Sequence, residues 1–106
     1  MSISKMHQRP KFFLAISHPI ASADDMARVL PEHLQYMAQH EDKVFLAGPF
    51  IGSGGMGMSI LWCESEQEAI DFMQGDPFVA QGLRRFEVRQ WELRFGTPSL
   101  AMLSAA

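Results

Sequence analysis

Two residues with acid–base side chains stand out by their positions in the sequence. His33 lies in LPEHLQYM (30–37), which has the apolar spacing of an amphipathic helix. Asp76 lies in GDPF (75–78), directly before a proline, where an aspartate typically caps a helix. Histidine exchanges a proton near neutral pH, and a carboxylate bonded to its other ring nitrogen would fix its tautomer and favour its charged form. Spacing alone leaves two interpretations open: one acid–base site, or a boundary histidine and an unrelated helix cap.

Other types of catalytic or metal site find little support in the sequence. His40 follows His33 by seven residues, about 10 Å along a helix axis, which is too far for two imidazoles to share one metal ion. The glycine-rich segment GSGGMG (52–57) lacks the Lys-Ser/Thr ending of a phosphate-binding loop and leads into a strand. Ser53, within it, has no helix to form a nucleophile elbow. We therefore expect proton transfer rather than acyl transfer, with no metal and no cofactor.

Length and composition indicate a single globular domain. The chain has 106 residues, of which 47% are hydrophobic and 20% are charged. We expect one domain over residues 1–106, with a core at 11–95 and a C-terminal tail at 96–106. The net charge of −3 offers no basic patch for nucleic acid, because Arg84, Arg85 and Arg89 alternate with acidic residues and are interpreted as an exposed strand face.

The expected location is the cytoplasm. No apolar stretch approaches the roughly 20 residues that a membrane span requires. The first ten residues lack the apolar centre of a secretory signal. The only cysteine, Cys63, cannot form an internal disulfide and is expected in the core.

Local signals divide the chain into four strands and helices between them. Pro31 predicts a kink or a new helix start within the first helix, and a change of phase between Val88 and Trp91 predicts a bulge in the last strand. Leu34 and Ala38 define the apolar stripe of the first helix, which places His33 at its edge. The expected elements are a strand at Lys11–His18, a helix capped by Ser22, strands at Lys43–Phe50 and Met58–Cys63, a helix capped by Ser65 and ended by Gly75, a short helix from Asp76 to Gly82, and a strand at 85–95.

The order β-α-β-β-α-β predicts an α+β, ferredoxin-like split βαβ fold, in which both helices cover one face of an antiparallel sheet. The strands are apolar on both sides, however: Phe12 and Leu14 alternate with Phe13 and Ala15. A second apolar face left without helices predicts a homodimer or larger homo-oligomer, with sheet packed on sheet as a dimeric α+β barrel.

Taken in order, several motifs resemble the YciI-like (YCII-related) family. They are PEHLQYM, KVFLAGPF, the small-residue loop before a strand, SEQEAIDFM and GDPFVAQGL. The resemblance runs from about Lys11 to Phe95. It implies a dimeric ferredoxin-like fold with a His–Asp pair in a pocket, and by position that pair is His33 and Asp76.

The resemblance also directs the functional hypothesis, because relatives with an assigned reaction include dehydrochlorinases of chloroaromatic breakdown. We expect His33 to act as the base and Asp76 to orient it, so that chloride leaves a small oxygenated ring by elimination. Three alternatives stay open: an isomerase of a small lactone, a non-catalytic ligand-binding protein, and a metal-free oxygenase.

The expected substrate contacts are of two kinds, apolar and polar. An apolar wall for the ring is predicted from Phe12, Phe50, Trp62 and Phe78. The ring oxygens are expected to be bound by His18, Ser53 or Arg9.

Overall fold

The computed structural model describes residues 11–96, which form four strands and three helices. Arg9 and the predicted tail beyond Gly96 lie outside the described residues. The strands are β1 (Lys11–Pro19), β2 (Val44–Pro49), β3 (Gly57–Cys63) and β4 (Arg84–Trp91), and the helices are α1 (Ala23–Gln39), α2 (Glu66–Gly75) and the single turn α3 (Pro77–Ala80).

The sheet has the strand order β2-β3-β1-β4, and all of its pairings are antiparallel. The alternate β1 residues Phe13 and Ala15 face α2, and they pack there against Phe72. The complete buried cluster on this face is Phe13, Ala15, Leu61, Cys63, Ala69, Phe72 and Met73. The predicted α+β, ferredoxin-like fold with helices on one face is confirmed.

Short-range hydrogen bonds fix the helix ends as the sequence predicts. The Ser22 hydroxyl accepts a bond from the Asp25 N–H, and the Ser65 hydroxyl accepts one from the Glu68 N–H, each at 3.1 Å. Gly82, with φ of +74°, follows α3 in the left-handed conformation that ends a helix. These local contacts explain why the positions of the helices could be predicted without tertiary information.

Helix α1 continues through Pro31, so the new helix start, one of the two outcomes predicted there, is wrong, and the kink stays a prediction. Proline removes a single backbone donor, and α1 is anchored on both sides of it. Val29 is buried before the proline, and Tyr36 stacks on Phe72 after it, with ring centroids 5.2 Å apart.

The predicted bulge between Val88 and Trp91 is also wrong, because β1 and β4 pair without interruption through this region. Val88 packs on the helix-covered face, whereas the Trp91 ring lies 6.2 Å from that of Phe12 on the opposite face. The apparent change of phase marks an apolar residue on the second face. An irregularity does occur in the sheet, but between Val44 and Leu46 of β2.

The second sheet face, which we call the open face, is apolar and only partly covered. Phe12 and Trp62 are buried there in a cluster with Leu93. Leu46 is 58% exposed and Trp91 41%. The homodimer expected to cover this face stays a prediction, as does the cytoplasmic location. Within residues 11–96, no helix combines the length and the apolar character needed to cross a bilayer.

Gly75 is required where α2 passes α1, since a Cβ atom there would lie 2.6 Å from the Tyr36 hydroxyl. That hydroxyl donates a 2.7 Å bond to the Phe72 carbonyl. The pKa of Tyr36 is raised, mainly by burial and to a smaller extent by the negative charge of Asp76. We expect Gly75→Ala to lower the free energy of unfolding by about 1–3 kcal/mol, although alanine is the better helix former. Urea denaturation of the purified protein measures this difference.

A Tyr36→Phe background supplies the control for this prediction. Without the hydroxyl oxygen, the nearest ring atom is the Cζ atom, 3.2 Å from the added methyl group. The same Gly75→Ala change should then be clearly less destabilising. An equal loss in both backgrounds would contradict the proposed steric cause.

Candidate active site

The buried face of α1 contains His33. Val29, His33 and Met37 face inward along successive turns, whereas Leu34 is 57% exposed and Ala38 is also exposed. The prediction that Leu34 and Ala38 define the apolar stripe is therefore wrong, and His33 lies within the inward face instead of at its edge. The spacing of apolar residues gave the wrong face because the inward face includes a histidine, which an apolar pattern does not count.

Asp76 separates α2 from α3, and its extended backbone (φ −61°, ψ 127°) ends the first helix and begins the second. Its Oδ1 accepts a 3.0 Å bond from the Phe78 N–H, as expected of a helix cap. The residue is 5% exposed, and it is the one buried charged residue among residues 11–96. A carboxylate buried to this extent needs further hydrogen-bond donors.

His33 supplies that donor. Its Nδ1 lies 2.9 Å from Oδ1 and 3.0 Å from Oδ2 of Asp76, so the two side chains, 43 residues apart in the chain, are in direct contact. The imidazole packs against the Phe78 ring at a centroid distance of 4.5 Å, with the two rings tilted by 30°. Its Nε2 forms no hydrogen bond within the described part of the chain. One ring nitrogen is thus fixed and the other is available to a ligand.

A cavity of about 410 Å³ adjoins this pair, between α1, the β2–β3 hairpin and the sheet. Leu30, Leu34 and Met37 of α1 form part of its wall, and Phe78 contributes an aromatic surface. The exposure of Leu34 is explained by this position. The polar lining of the cavity includes His33, Asp76, Ser17, Ser59 and Arg84.

Arg84 is a lining residue that the sequence interpretation missed. It was assigned with Arg85 and Arg89 to an exposed strand face, but it is half-buried and points towards the helices, whereas the other two are exposed. Its guanidinium donates to the Ser17 hydroxyl and to the Gly55 carbonyl. Burial lowers the pKa of Arg84, while the nearby charge of Asp76 acts in the opposite direction. The sequence does contain a signal for this position: Arg84 and Phe86 are two residues apart in one strand, so their side chains lie on the same face of the sheet.

The four aromatic residues predicted to form the wall of the pocket are not brought together. Phe78 lines the cavity. Phe12 and Trp62 lie on the open face and do not line it, because they alternate with the residues that face the helices. Phe50 borders a separate depression beside Leu46 on the β2–β3 hairpin.

The polar residues predicted to bind ring oxygens lie elsewhere. His18 is on the open face, with Nε2 3.9 Å from Glu87 Oε1. Ser53 is exposed in the hairpin loop, where its hydroxyl bonds the Phe50 and Met56 carbonyls at 2.7 and 3.2 Å. Arg9 falls outside the described residues. Ser53 does not line the cavity, although Gly55 of the same loop does.

His40 takes no part in the cavity. Its Nδ1 bonds the Tyr36 carbonyl at 2.8 Å, and its ring stacks on that of Tyr36. Within the described range 11–96, no group of three or more histidine, cysteine or acidic side chains is arranged to hold a metal ion.

Comparisons with known proteins agree with this architecture. A family model described as the YCII-related domain matches residues 11–92. A solved structure of 5-chloro-2-hydroxyhydroquinone dehydrochlorinase from Burkholderia phenoliruptrix AC1100, in complex with 2,5-dihydroxybenzoquinone, is similar with a TM-score of 0.67 and 26% identity. The similarity covers 76% of this chain and 92% of that one. No curated protein sequence matches the chain significantly.

Proposed function

We propose that this chain, which belongs to the YCII-related family, is a proton-transfer enzyme that eliminates HCl from a small chlorinated, polyhydroxylated ring. The observation that carries the proposal is the contact between His33 Nδ1 and the buried Asp76 carboxylate at the wall of a cavity. The similarity to a dehydrochlorinase adds support for this class of reaction.

The geometry equips His33 to take and return a proton. An ionised carboxylate only accepts hydrogen bonds, so we assign the ring proton to the Nδ1 that contacts Asp76. The lone pair of the imidazole is then on Nε2, the nitrogen without a partner in residues 11–96. When Nε2 accepts a proton, the positive ring lies against a carboxylate, which stabilises it. Bonds from both His33 and the Phe78 N–H hold that carboxylate in place.

The proposed elimination balances without an external oxidant or cofactor. A proton adds to the ring carbon that bears chlorine, so this carbon becomes tetrahedral and the neighbouring hydroxyl becomes a carbonyl. Loss of a second hydroxyl proton then forms a new C=O bond, and chloride leaves with the electron pair of the C–Cl bond. The net change is loss of H⁺ and Cl⁻, and the product is a hydroxyquinone. Both steps are proton transfers of the kind that a positioned imidazole performs.

The cavity suits a single ring. Its volume of about 410 Å³ lies in the lower part of the range of small-molecule sites, roughly 300–1,000 Å³. Its apolar wall and its few polar groups are also typical of such sites. We take Phe78 as the surface on which the ring packs, because it also contacts His33.

Chloride release from a panel of chlorinated hydroquinones and lactones tests the proposal. We expect at least one chlorinated hydroxyhydroquinone to yield chloride and a hydroxyquinone in equal molar amounts, without oxygen uptake. The absorbance of the hydroxyquinone measures its concentration. A product of unchanged mass would instead identify an isomerase. Ligand binding without any product across the panel would identify a binding protein, and either result would contradict elimination.

We also propose that the protein acts as a homodimer packed through the open face, in the cytoplasm. Trp91 and Leu46 leave apolar area exposed on that face. Sedimentation of the wild-type protein measures the assembly state, and a monomer at micromolar concentration would contradict it.

A further inference from the structure

We propose that Arg84 binds an ionised oxygen of the substrate, so that the cavity selects small flat rings that enter as anions. The inference rests on the proposed function in one respect: it takes the cavity beside His33 as the substrate site. It adds the charge of the substrate and the residue that recognises this charge.

The charge of Arg84 is not neutralised by a direct partner in the described structure. Its Nε and Nη2 donate to neutral acceptors, namely the hydroxyl and carbonyl of Ser17 and the carbonyl of Gly55. None of the ion pairs within residues 11–96 includes it. Asp76, whose negative charge acts on Arg84, is engaged by His33 and the Phe78 N–H. The cavity therefore has a cation in its wall that a bound anion would complement.

The guanidinium also retains free donors. Arginine has five N–H groups in a planar fork, and Nη1 forms no hydrogen bond with any described residue. The bonds of Nε and Nη2 hold the plane of the group between β1 and the hairpin loop. A purely structural tether would account for those bonds but not for a half-buried charge left facing a cavity.

Arg84 and His33 flank the same aromatic residue. The Arg84 Cζ atom lies 5.7 Å from the centroid of the Phe78 ring, and the His33 centroid lies 4.5 Å from it. A ring packed against Phe78 would lie within reach of a cation and of a base. An ionised ring oxygen held by Arg84 would be the oxygen that becomes a carbonyl when the chlorinated carbon takes up a proton. The second hydroxyl still carries the proton that His33 accepts as chloride leaves, so recognition and reaction favour the same form of the substrate.

Binding of two quinones that share the same substituted ring but differ in charge tests the role of Arg84. The hydroxyls of 2,5-dihydroxybenzoquinone are conjugated acids that ionise in neutral solution, whereas 2,5-dimethoxybenzoquinone has no acidic hydrogen. By isothermal titration calorimetry, the wild-type protein should bind the ionised quinone more tightly. Arg84→Met should weaken that binding by about 10- to 100-fold and leave the dimethoxy compound unaffected.

Two further variants separate recognition from folding. Arg85→Met removes the adjacent arginine, which is exposed, and should change neither affinity. Arg84→Lys keeps the charge without the planar fork and should retain part of the preference for the ionised quinone. Equal wild-type affinity for the two quinones, no measurable affinity for the ionised one, or unaltered binding by Arg84→Met would each overturn the inference.

The inference and the proposed function fail separately. Chloride release without a preference for the ionised quinone would reject only the role of Arg84. A charge preference that depends on Arg84, without chloride release from any compound of the panel, would reject only the elimination.

Discussion

A His33→Ala protein is expected to release chloride about 10²–10⁴-fold more slowly than the wild type, because the variant lacks the proton acceptor in the cavity wall. The loss should appear in kcat more than in KM, since the imidazole acts on the transferred proton rather than on the bulk of the ring. Initial rates of chloride release over a range of substrate concentrations separate the two parameters.

His33→Asn separates the chemistry from the packing. The asparagine amide can still donate to Asp76, which keeps the buried carboxylate bonded, but it cannot accept a proton near neutral pH. We expect the same loss of turnover as for alanine, with a smaller loss of stability. His40→Asn is the matched control, because this second histidine lies on the same helix outside the cavity. Wild-type turnover by His33→Asn would show that another residue is the base.

The extent to which the sequence predicted the structure follows from the range of the interactions. Ser22, Ser65 and Gly82 act within a few residues of their own positions, so the helix ends could be located from local chemistry. The element order then implied the sheet topology. Pro31 shows the limit of this approach, because distant packing of Val29 and Tyr36 stabilises a helix that local rules would interrupt.

The site was less accessible to prediction because it depends on which sheet face each side chain occupies. β1 is apolar on both faces, so its sequence could not show that Phe12 belongs to the open face and Ser17 to the cavity. Arg84 was hidden among neighbouring arginines, although its phase relative to Phe86 already distinguished it. Only the family resemblance joined His33 to Asp76, since the packing of α1 against α3 is a tertiary event without a local signature.

Asp76→Asn is expected to reduce turnover by a similar factor, on the order of 10²–10⁴, while the fold is retained. The asparagine oxygen can accept the Phe78 N–H bond, so α3 keeps its cap, and Asn and Asp cap helices about equally well. Its amide would then donate to His33 Nδ1, which places the ring proton on Nε2. The nitrogen that must accept the substrate proton would already carry one.

Asp76→Ala removes both the charge and the cap, so it should lose turnover and also lower the free energy of unfolding by about 0.5–2 kcal/mol. Ser65→Ala is the matched control, because it removes the cap of α2 at a position that does not line the cavity. It should destabilise by a comparable amount and leave turnover unchanged. If Asp76→Asn kept wild-type turnover, the carboxylate would be a helix cap alone. If it loses turnover at unchanged stability, the same oxygen atoms start a helix and orient a base, because the residue that separates α2 from α3 is also the one that faces His33.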